Sequence, residues 1–358
     1  MNIFIVITPG LEDLALKEIE EKCPLSEYTL IKGGIEATVD PLWIHNAHHL
    51  LKIPTRLLLR LSEFKVRDFP KLLSKLQNLK WKEFLSHPQP KFHISATKSR
   101  LLHTGRIEEL CHKAVNEHLA QQPLSLDWQK KNYSPQNFYL RLFDDYLTFS
   151  VDLSGLPLYK RGEGLIKGEA PLRENYASAL IYELMENISE EVHLFDPMCG
   201  SGTFLYEALS FYQSSRRPFA YTENPLFKGK HFAIPKLSQQ LKIKSVKGLE
   251  INQELVEKLK RDYIQSGDSL KDSYQLAQPL VIICNPPYGE RIQVAGKRGQ
   301  FLREAFNTFI SHNPLKLGWL IPTDMEDIFK SNSTHKIVKT RRFRNGGIMV
   351  SFIVWERI

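Results

Sequence analysis

Three short motifs in the second half of the chain contain the residues whose types and spacing could do chemistry. The first is Asp196-Pro197-Met198-Cys199-Gly200-Ser201-Gly202-Thr203, which follows an apolar segment and precedes a helical pattern. Glycines let a ligand approach the backbone there, and the helix N-terminus offers unpaired N–H groups to a carboxylate or phosphate. A purely structural connection explains such a turn equally well. Because the spacing is neither GxGxxG nor GK[ST], it indicates a ligand other than NAD or ATP.

The second motif is an acid, Glu250, at the end of the predicted strand Val246–Glu250. An acid in this position can accept hydrogen bonds from both ribose hydroxyls of a nucleoside. It can equally be an acid near a helix N-terminus, where the helix dipole favours a negative charge. The residue alone favours neither interpretation.

The third motif, Asn285-Pro286-Pro287-Tyr288-Gly289, directly follows the apolar segment Leu280–Cys284. Two prolines make a rigid extended turn without backbone donors, so carbonyls and the Asn285 side chain face whatever lies above the strand. The turn suits a planar exocyclic amine: Asn285 Oδ1 and the Pro286 carbonyl accept its two N–H groups, and Tyr288 stacks on the ring. The alternative is a strand-ending turn with a buried tyrosine, but the position after a central strand favours a binding site.

The elements around these motifs predict an α/β fold. In the second half, strands near 192–195, 245–249, 280–284 and 317–321 alternate with helical patterns. This alternation is typical of a doubly wound sheet, whose ligand lies at the carboxyl ends of its central strands. The first half mixes short strands and helices, with a hairpin predicted around Asp144-Asp145.

Composition sets wider limits on the function. The 358 residues allow two domains, and 42% apolar with 25% charged residues is ordinary globular composition. The four cysteines include no CxxC pair, which argues against a zinc site and a disulfide framework and favours a reduced, cytoplasmic protein. No apolar run is long enough for a helix that spans a membrane. The net charge of +8 is uneven, since residues 51–100 hold twelve Lys/Arg against three Asp/Glu. Separate basic clusters with aromatic neighbours favour a nucleic acid partner.

The order of these motifs resembles that of S-adenosylmethionine-dependent amino-methyltransferases. The first half is similar to the ferredoxin-like region and THUMP domain of RNA-modifying enzymes. The matching stretches are Pro9–Asp13, Gly33–Ile35, Leu153–Leu172 and Arg344–Gly346. The best match is the THUMP-containing guanine-N2 methyltransferases of bacterial large-subunit (23S) ribosomal RNA, with their transfer-RNA relatives close behind. The Asn-Pro-Pro-Tyr motif is shared with DNA adenine and protein glutamine methyltransferases. The similarity of the first half to a THUMP domain is therefore the reason to expect RNA as the substrate.

The resemblance implies a role for each motif residue. The segment 161–172 would cap the cofactor, S-adenosylmethionine, and no metal is expected. Because the chain between Glu250 and Asn285 is shorter than expected for the family, Asp268 is our choice for the adenine-binding acid and Asp272 the alternative. The implied cofactor contacts are Asp196, Pro197, Gly200, Gly202, Thr203, Glu250, Asp268 and Asn285. The implied holders of the target base are Asn285, Pro286, Pro287 and Tyr288.

The domain organisation implied by the resemblance runs from an RNA-binding half to a catalytic half. The expected divisions are a ferredoxin-like region at 1–50, a THUMP domain at 51–155, a linker with the start of the catalytic domain at 156–175 and a Rossmann-like class I methyltransferase domain at 176–358. The expected RNA contacts are Lys98, Arg100, Arg341 and Arg342. We expect a monomer or weak homodimer that methylates ribosomal RNA. The alternatives are a transfer-RNA substrate, a non-catalytic RNA-binding or ribosome-assembly factor of the same fold, and a DNA adenine methylase.

Overall fold

The computed structural model describes residues 1–124, 136–161, 172–272, 274–287, 295–329 and 333–358, and the side chains of 295–298 are not described. The chain forms two compact units. Unit 1 comprises 1–7, 19–161 and 215–235, and unit 2 comprises 8–18, 162–214 and 236–358. The segment 215–235, which lies between the Asp196 and Glu250 motifs in the sequence, thus clusters with unit 1. The domain boundaries expected from the sequence stay predictions.

Unit 1 is built on a mostly antiparallel sheet with the order β2-β3-β1-β4-β7-β6-β5. Its strands are β1 (Asn2–Val6), β2 (Tyr28–Ile31), β3 (Gly34–Thr38), β4 (Arg56–Lys65), β5 (Lys91–Thr97), β6 (Asn137–Phe143) and β7 (Tyr146–Asp152). The helices of this half of the chain are α1 (Glu12–Lys22), α2 (Pro41–Leu50), α3 (Phe69–Gln77), α4 (Trp81–Phe84) and α5 (Thr104–Gln121). Strand β5 pairs parallel with β6, and the other neighbours pair antiparallel.

The hairpin predicted in the first half is confirmed. Strands β6 and β7 pair antiparallel across Asp144 and Asp145, whose φ angles are 50° and 60°. Two positive φ values are typical of the type I′ turn, whose twist matches that of the flanking strands. Along β6, buried and more exposed residues alternate, so one face of this sheet packs on the core and the other is open.

Unit 2 is an α/β layer structure, as the sequence predicts. Its sheet has the order β10-β9-β8-β11-β12-β14-β13. Its strands are β8 (Val192–Asp196), β9 (Ile243–Glu250), β10 (Ile264–Ser266), β11 (Leu280–Cys284), β12 (Lys316–Pro322), β13 (His335–Asn345) and β14 (Ile348–Arg357). Its further helices are α6 (Glu174–Leu184), α7 (Thr203–Ser210), α8 (Gln253–Leu259) and α9 (Ala295–Ser311). The first five strands in this order are parallel, and β14 lies antiparallel between β12 and β13.

This strand order determines where unit 2 can hold a ligand. The chain leaves β8 toward β9 on one side, while β11 lies on the other side of β8. All five residues of β11 are buried, as expected for a central strand covered on both faces. A crevice opens outside the carboxyl ends of strands where the winding reverses. In unit 2 that point lies between β8 and β11.

A buried ion network joins three separate parts of unit 2. Arg341 on β13 donates to the Glu183 carboxylate on α6, with Nη2–Oε1 at 2.7 Å, and to both Asp13 oxygens at 2.7 Å. Its side chain is 9% exposed and that of Glu183 is 1% exposed. Lys339 adds a second cation, its Nζ 3.7 Å from Glu183 Oε1. Two cations therefore compensate the burial of one carboxylate.

We expect Glu183→Leu to lower the free energy of unfolding by about 3 kcal/mol, because it leaves the Arg341 guanidinium buried with half its partners. Urea unfolding measures the change. The matched control is Glu186→Ala, which removes the partly exposed pair with Lys17 and costs less than about 1 kcal/mol. Equal losses in the two variants would contradict a structural role for the network.

Candidate functional site

The motifs predicted from the sequence meet at one edge of the unit 2 sheet. Asp196 is the last residue of β8, Glu250 is the last residue of β9, and Asn285 follows β11 directly. Strands β9, β8 and β11 are parallel neighbours, so their carboxyl ends lie side by side. The structure thus brings two acids and an amide to the crevice between β8 and β11, where the winding of the sheet reverses.

The turn after β8 is shaped by two glycines in the left-handed region. Gly200 has φ +54°, and a Cβ added to it would meet nothing within 4 Å, so open space lies beside this backbone. Gly202 has φ +74°, and its added Cβ would lie 2.5 Å from Ile264 Cδ1. Only glycine fits the second position without a shift, while the first offers room for a ligand against the backbone. Thr203 then begins α7.

The Asp196 carboxyl is buried, with 2% of the residue exposed. Its Oδ1 accepts a hydrogen bond from the Met198 N–H at 3.2 Å. Its pKa is raised from 3.8 to about 8, chiefly by burial and with a further contribution from the negative charge of Glu250, against a lowering by the Met198 N–H. Such a carboxyl favours a cationic ligand, whose charge would stabilise its ionised form.

Both oxygens of the Glu250 carboxylate are oriented by backbone donors. Oε2 accepts from the Gly200 N–H and Oε1 from the Asn252 N–H, each at 2.9 Å. Each carboxylate oxygen has a further lone pair free of these bonds. Glu250 therefore has acceptors that are held in place and can receive vicinal hydroxyls.

The third strand, which the sequence hardly indicates, is the three-residue β10. Asp268 follows it by two residues, accepts from the Leu270 N–H at 3.0 Å, and pairs with Lys271 at 3.1 Å. The Leu270 N–H and the Lys271 ammonium lower the pKa of Asp268 against a smaller effect of burial. Asp272 Oδ2 accepts from the Asp268 N–H at 2.6 Å, so the alternative acid closes the same turn. The role of Asp268 stays a prediction.

Two apolar residues beside these acids escaped the sequence analysis. Met198 and Leu270 are partly exposed and pack against the core of unit 2. They lie in the segments that carry Asp196 and Asp268, and so can face the flat rings of a nucleoside. Their position two residues after an acid at or just beyond the end of a strand is the signal that could have identified them.

The amide of Asn285 is the clearest sign of an unfilled site. Its Oδ1 is buried and has no hydrogen-bond partner in the part of the chain that the structure describes. An acceptor left in this state costs on the order of 1–3 kcal/mol, so it is expected to have a partner from a ligand. Pro286 is buried and Pro287 is exposed. Tyr288 and Gly289 lie outside the described residues.

The residues expected to bind RNA fall into two groups. Lys98 and Arg100 are exposed after β5. Arg341 is engaged by Asp13 and Glu183, and Arg342 binds Glu326 through Nε at 2.7 Å. Arg341 and Arg342 therefore form ion pairs with carboxylates within unit 2, although the Arg342 side chain remains 58% exposed. An RNA role for either pair stays a prediction.

Two further expectations concern the rest of the chain. Most of the segment 161–172, expected to cap the cofactor, lies outside the described residues. Within the described ranges, no cluster of three or more His, Cys, Asp or Glu side chains is arranged to hold a metal ion. Every helix described there falls short of the length and apolarity that crossing a membrane requires.

Comparison with known proteins relates this site to a family. Residues 161–348 match the family model UPF0020, described as RMKL-like, methyltransferase domain. The chain is 24% identical to YpsC of Bacillus subtilis (strain 168), to which an RNA methyltransferase activity is provisionally assigned, over 98% of this chain and 94% of that protein. It is 27% identical to the ribosomal RNA large subunit methyltransferase K/L of Buchnera aphidicola over 83% of this chain. The chain spans 46% of the length of that larger protein.

The fold has a counterpart among solved structures. SMU.472, crystallised in complex with SAH, superposes with a TM-score of 0.79 at 24% sequence identity. The match covers 99% of this chain and 97% of that one. At this identity the likeness shows a shared fold over both halves of the chain.

The buried carboxyl of Asp196 predicts a stability that depends on pH. Its pKa is about 8 in the folded chain against 3.8 when unperturbed, so stability from this group is lost as pH rises from about 4 to about 8. Asn cannot titrate. We therefore expect Asp196→Asn to be more stable than the wild type at neutral pH, with a gap that widens up to pH 8 and is constant above.

Urea unfolding without ligand at about pH 5, 7 and 9 checks this expectation. Asp324→Asn, at an exposed carboxyl, is the matched control and should show a small difference that hardly changes with pH. If the Asp196→Asn gap were the same at all three pH values, the carboxyl would not be held neutral by burial.

Proposed function

Because the chain belongs to the family of RMKL-like methyltransferase domains, we propose that it methylates RNA with S-adenosylmethionine as the methyl donor. We further propose that the target is the exocyclic N2 amine of a guanine in large-subunit ribosomal RNA. Support for the donor comes from the family and from SMU.472, whose fold this chain shares and which binds SAH. Support for the RNA comes from the K/L relative, which matches 83% of this chain.

The observation that carries the proposal is Asn285 Oδ1 at the carboxyl end of β11, which is buried and lacks a partner among the residues that the structure describes. The exocyclic amine of guanine offers N–H donors, and Asn285 Oδ1 and the Pro286 carbonyl offer acceptors. The next residue, Pro287, has no N–H, so no donor there competes for these acceptors. An amine is therefore a better complement to this turn than a carbonyl.

The residues around the turn after β8 fit the donor. S-adenosylmethionine supplies a methyl group on a sulfonium, which needs no metal or base for its activation. Asp196 can bind a cationic amino group, and the open space beside Gly200 leaves room against the backbone. Glu250 holds acceptors suited to ribose hydroxyls, and Met198 and Leu270 supply apolar surface for adenine.

Catalysis by these residues consists of positioning and preorganised acceptors. The lone pair of a guanine N2 is delocalised into the ring, so the amine is a weak nucleophile. Hydrogen bonds to Asn285 and Pro286 would draw the nitrogen toward tetrahedral geometry and localise the lone pair in line with the methyl group. The product nitrogen is acidic and loses its proton after the transfer, so a strong base is not needed beforehand.

We expect Asn285→Ala to lower kcat by about 10² or more, because it removes a preorganised acceptor. The dissociation constant for S-adenosylmethionine should change by less than about threefold. Steady-state methylation at saturating substrate and calorimetric titration measure the two quantities. Asn307→Ala, at an exposed position on α9, is the control. A near-normal kcat in Asn285→Ala would refute the role of the amide.

The substrate is tested by mass spectrometry of nucleosides from a strain lacking the gene. We expect N2-methylguanosine to fall in the ribosomal RNA pool and to return when the wild-type gene, but not Asn285→Ala, is restored. A fall in the transfer-RNA pool would move the substrate to transfer RNA. A fall in N6-methyladenosine would indicate that the target base is adenine and not guanine. Unchanged nucleoside pools would favour a non-catalytic RNA-binding protein.

A further inference from the structure

The open face of the unit 1 sheet carries aromatic and cationic side chains side by side. On β6, Tyr139, Arg141 and Phe143 alternate with the buried residues of the same strand. Tyr146 of β7 pairs with Phe143 across the hairpin, and His93 of β5 pairs with Tyr139. Residues paired in register on one face have adjacent side chains, so the rings form two neighbouring pairs on this face, with Arg141 between them along β6.

The rings at the hairpin end of this face are unusually exposed. Phe143 is 43% exposed and Tyr146 is 48% exposed. Farther along the face, the His93 and Tyr139 rings stack with centroids 4.6 Å apart and an interplanar angle of 20°. The face thus combines a preformed stack with two rings whose surfaces are open to a partner.

Two cations flank the exposed Phe143 ring. Lys98 Nζ lies 5.6 Å from its centroid and Arg141 Cζ lies 5.8 Å from it. Within the described residues, neither cation has a carboxylate at ion-pair distance, in contrast to Arg341 on β13. The exposed acids nearby are Asp144, next to Phe143 in the hairpin turn, and Glu63 on β4, which lies 4.0 Å from Arg60. Lys65, which pairs in register with Tyr146, adds a third exposed cation at this end of the face. The charges around the rings therefore favour an anionic partner.

The geometry points to this face as a binding surface for unpaired RNA nucleotides, with bases stacked on Phe143 and Tyr146 and phosphates bound by Lys98 and Arg141. The inference rests on the proposed function, since it takes RNA as the substrate. Bases offer flat rings and phosphates offer negative charge at regular intervals, which matches exposed rings between cations. In a duplex the base faces are covered, so a duplex could use the cations but not the rings.

The test measures binding of a fluorescein-labelled single-stranded oligouridine of about ten nucleotides by fluorescence anisotropy, using the full chain. We expect the double variant Phe143→Ala/Tyr146→Ala to bind roughly 100-fold more weakly, at about tenfold for each lost stack. Phe143→Tyr, which keeps a ring, should bind within about threefold of the wild type. Lys98→Ala and Arg141→Ala should each lower the slope of log affinity against log salt by roughly 0.7.

Tyr28→Ala is the matched control, because Tyr28 is 40% exposed on β2 at the other edge of the same sheet. It should leave the affinity unchanged. A duplex of the same length should compete much more weakly than the single strand. Equal competition by the duplex, or equal loss in the control and the double variant, would overturn the stacking surface.

Failure of this inference can be told apart from failure of the proposed function. If the wild type methylates RNA and the double variant does so with unchanged KM and oligouridine affinity, the reaction stands and the surface is refuted. If no RNA is methylated but oligouridine binding depends on Phe143 and Tyr146, the surface stands and the reaction is refuted. If the double variant changes only self-association in sedimentation, the face joins copies of the chain and the inference fails.

Discussion

The candidate site depends on one hydrogen bond, from the Gly200 N–H to Glu250 Oε2. This bond and the neighbouring one from the Cys199 N–H to the Leu249 carbonyl, both 2.9 Å long, fasten the turn after β8 to the end of β9. They are possible because β8 and β9 are parallel neighbours whose carboxyl ends coincide, and because Gly200 adopts a positive φ. The same bond therefore fixes the backbone against which a ligand can lie and the carboxylate that can receive its hydroxyls.

Two groups that can bind a ligand at this edge lower the stability of the ligand-free protein. Burial keeps the Asp196 carboxyl largely protonated at neutral pH when no ligand is present, and Asn285 Oδ1 is buried without a partner in the described parts of the chain. The amide oxygen departs from the rule that buried polar groups are satisfied within the protein, whereas the carboxyl accepts a hydrogen bond from the Met198 N–H but carries the cost of its burial. A stable sheet tolerates such groups when a ligand completes them, and this arrangement provides electrostatic preorganisation before a substrate arrives.

The sequence alone was enough to predict the candidate site residues that stand at the end of a recognisable strand. Asp196 and Glu250 end predicted strands and Asn285 directly follows one, so the α/β fold and the shared edge could be predicted together. The three-residue β10 was harder, because so short a strand has no measurable periodicity. The partners of Arg341 could not be predicted, since Asp13 and Glu183 are separated from it by 328 and 158 residues.

The basic residues illustrate why charge must be located before it is assigned to a partner. Arg217 belongs to a basic stretch, yet its guanidinium donates to the carbonyls of Ser154, Leu156 and Pro157 within unit 1. The charge of Arg341 is compensated by carboxylates, and the hydrogen bonds of Arg217 leave its guanidinium with fewer donors for a phosphate. Lys98 and Arg141 keep their charge at the surface beside exposed rings. An RNA-binding surface is therefore better indicated by cations that lack internal partners than by the net charge of +8.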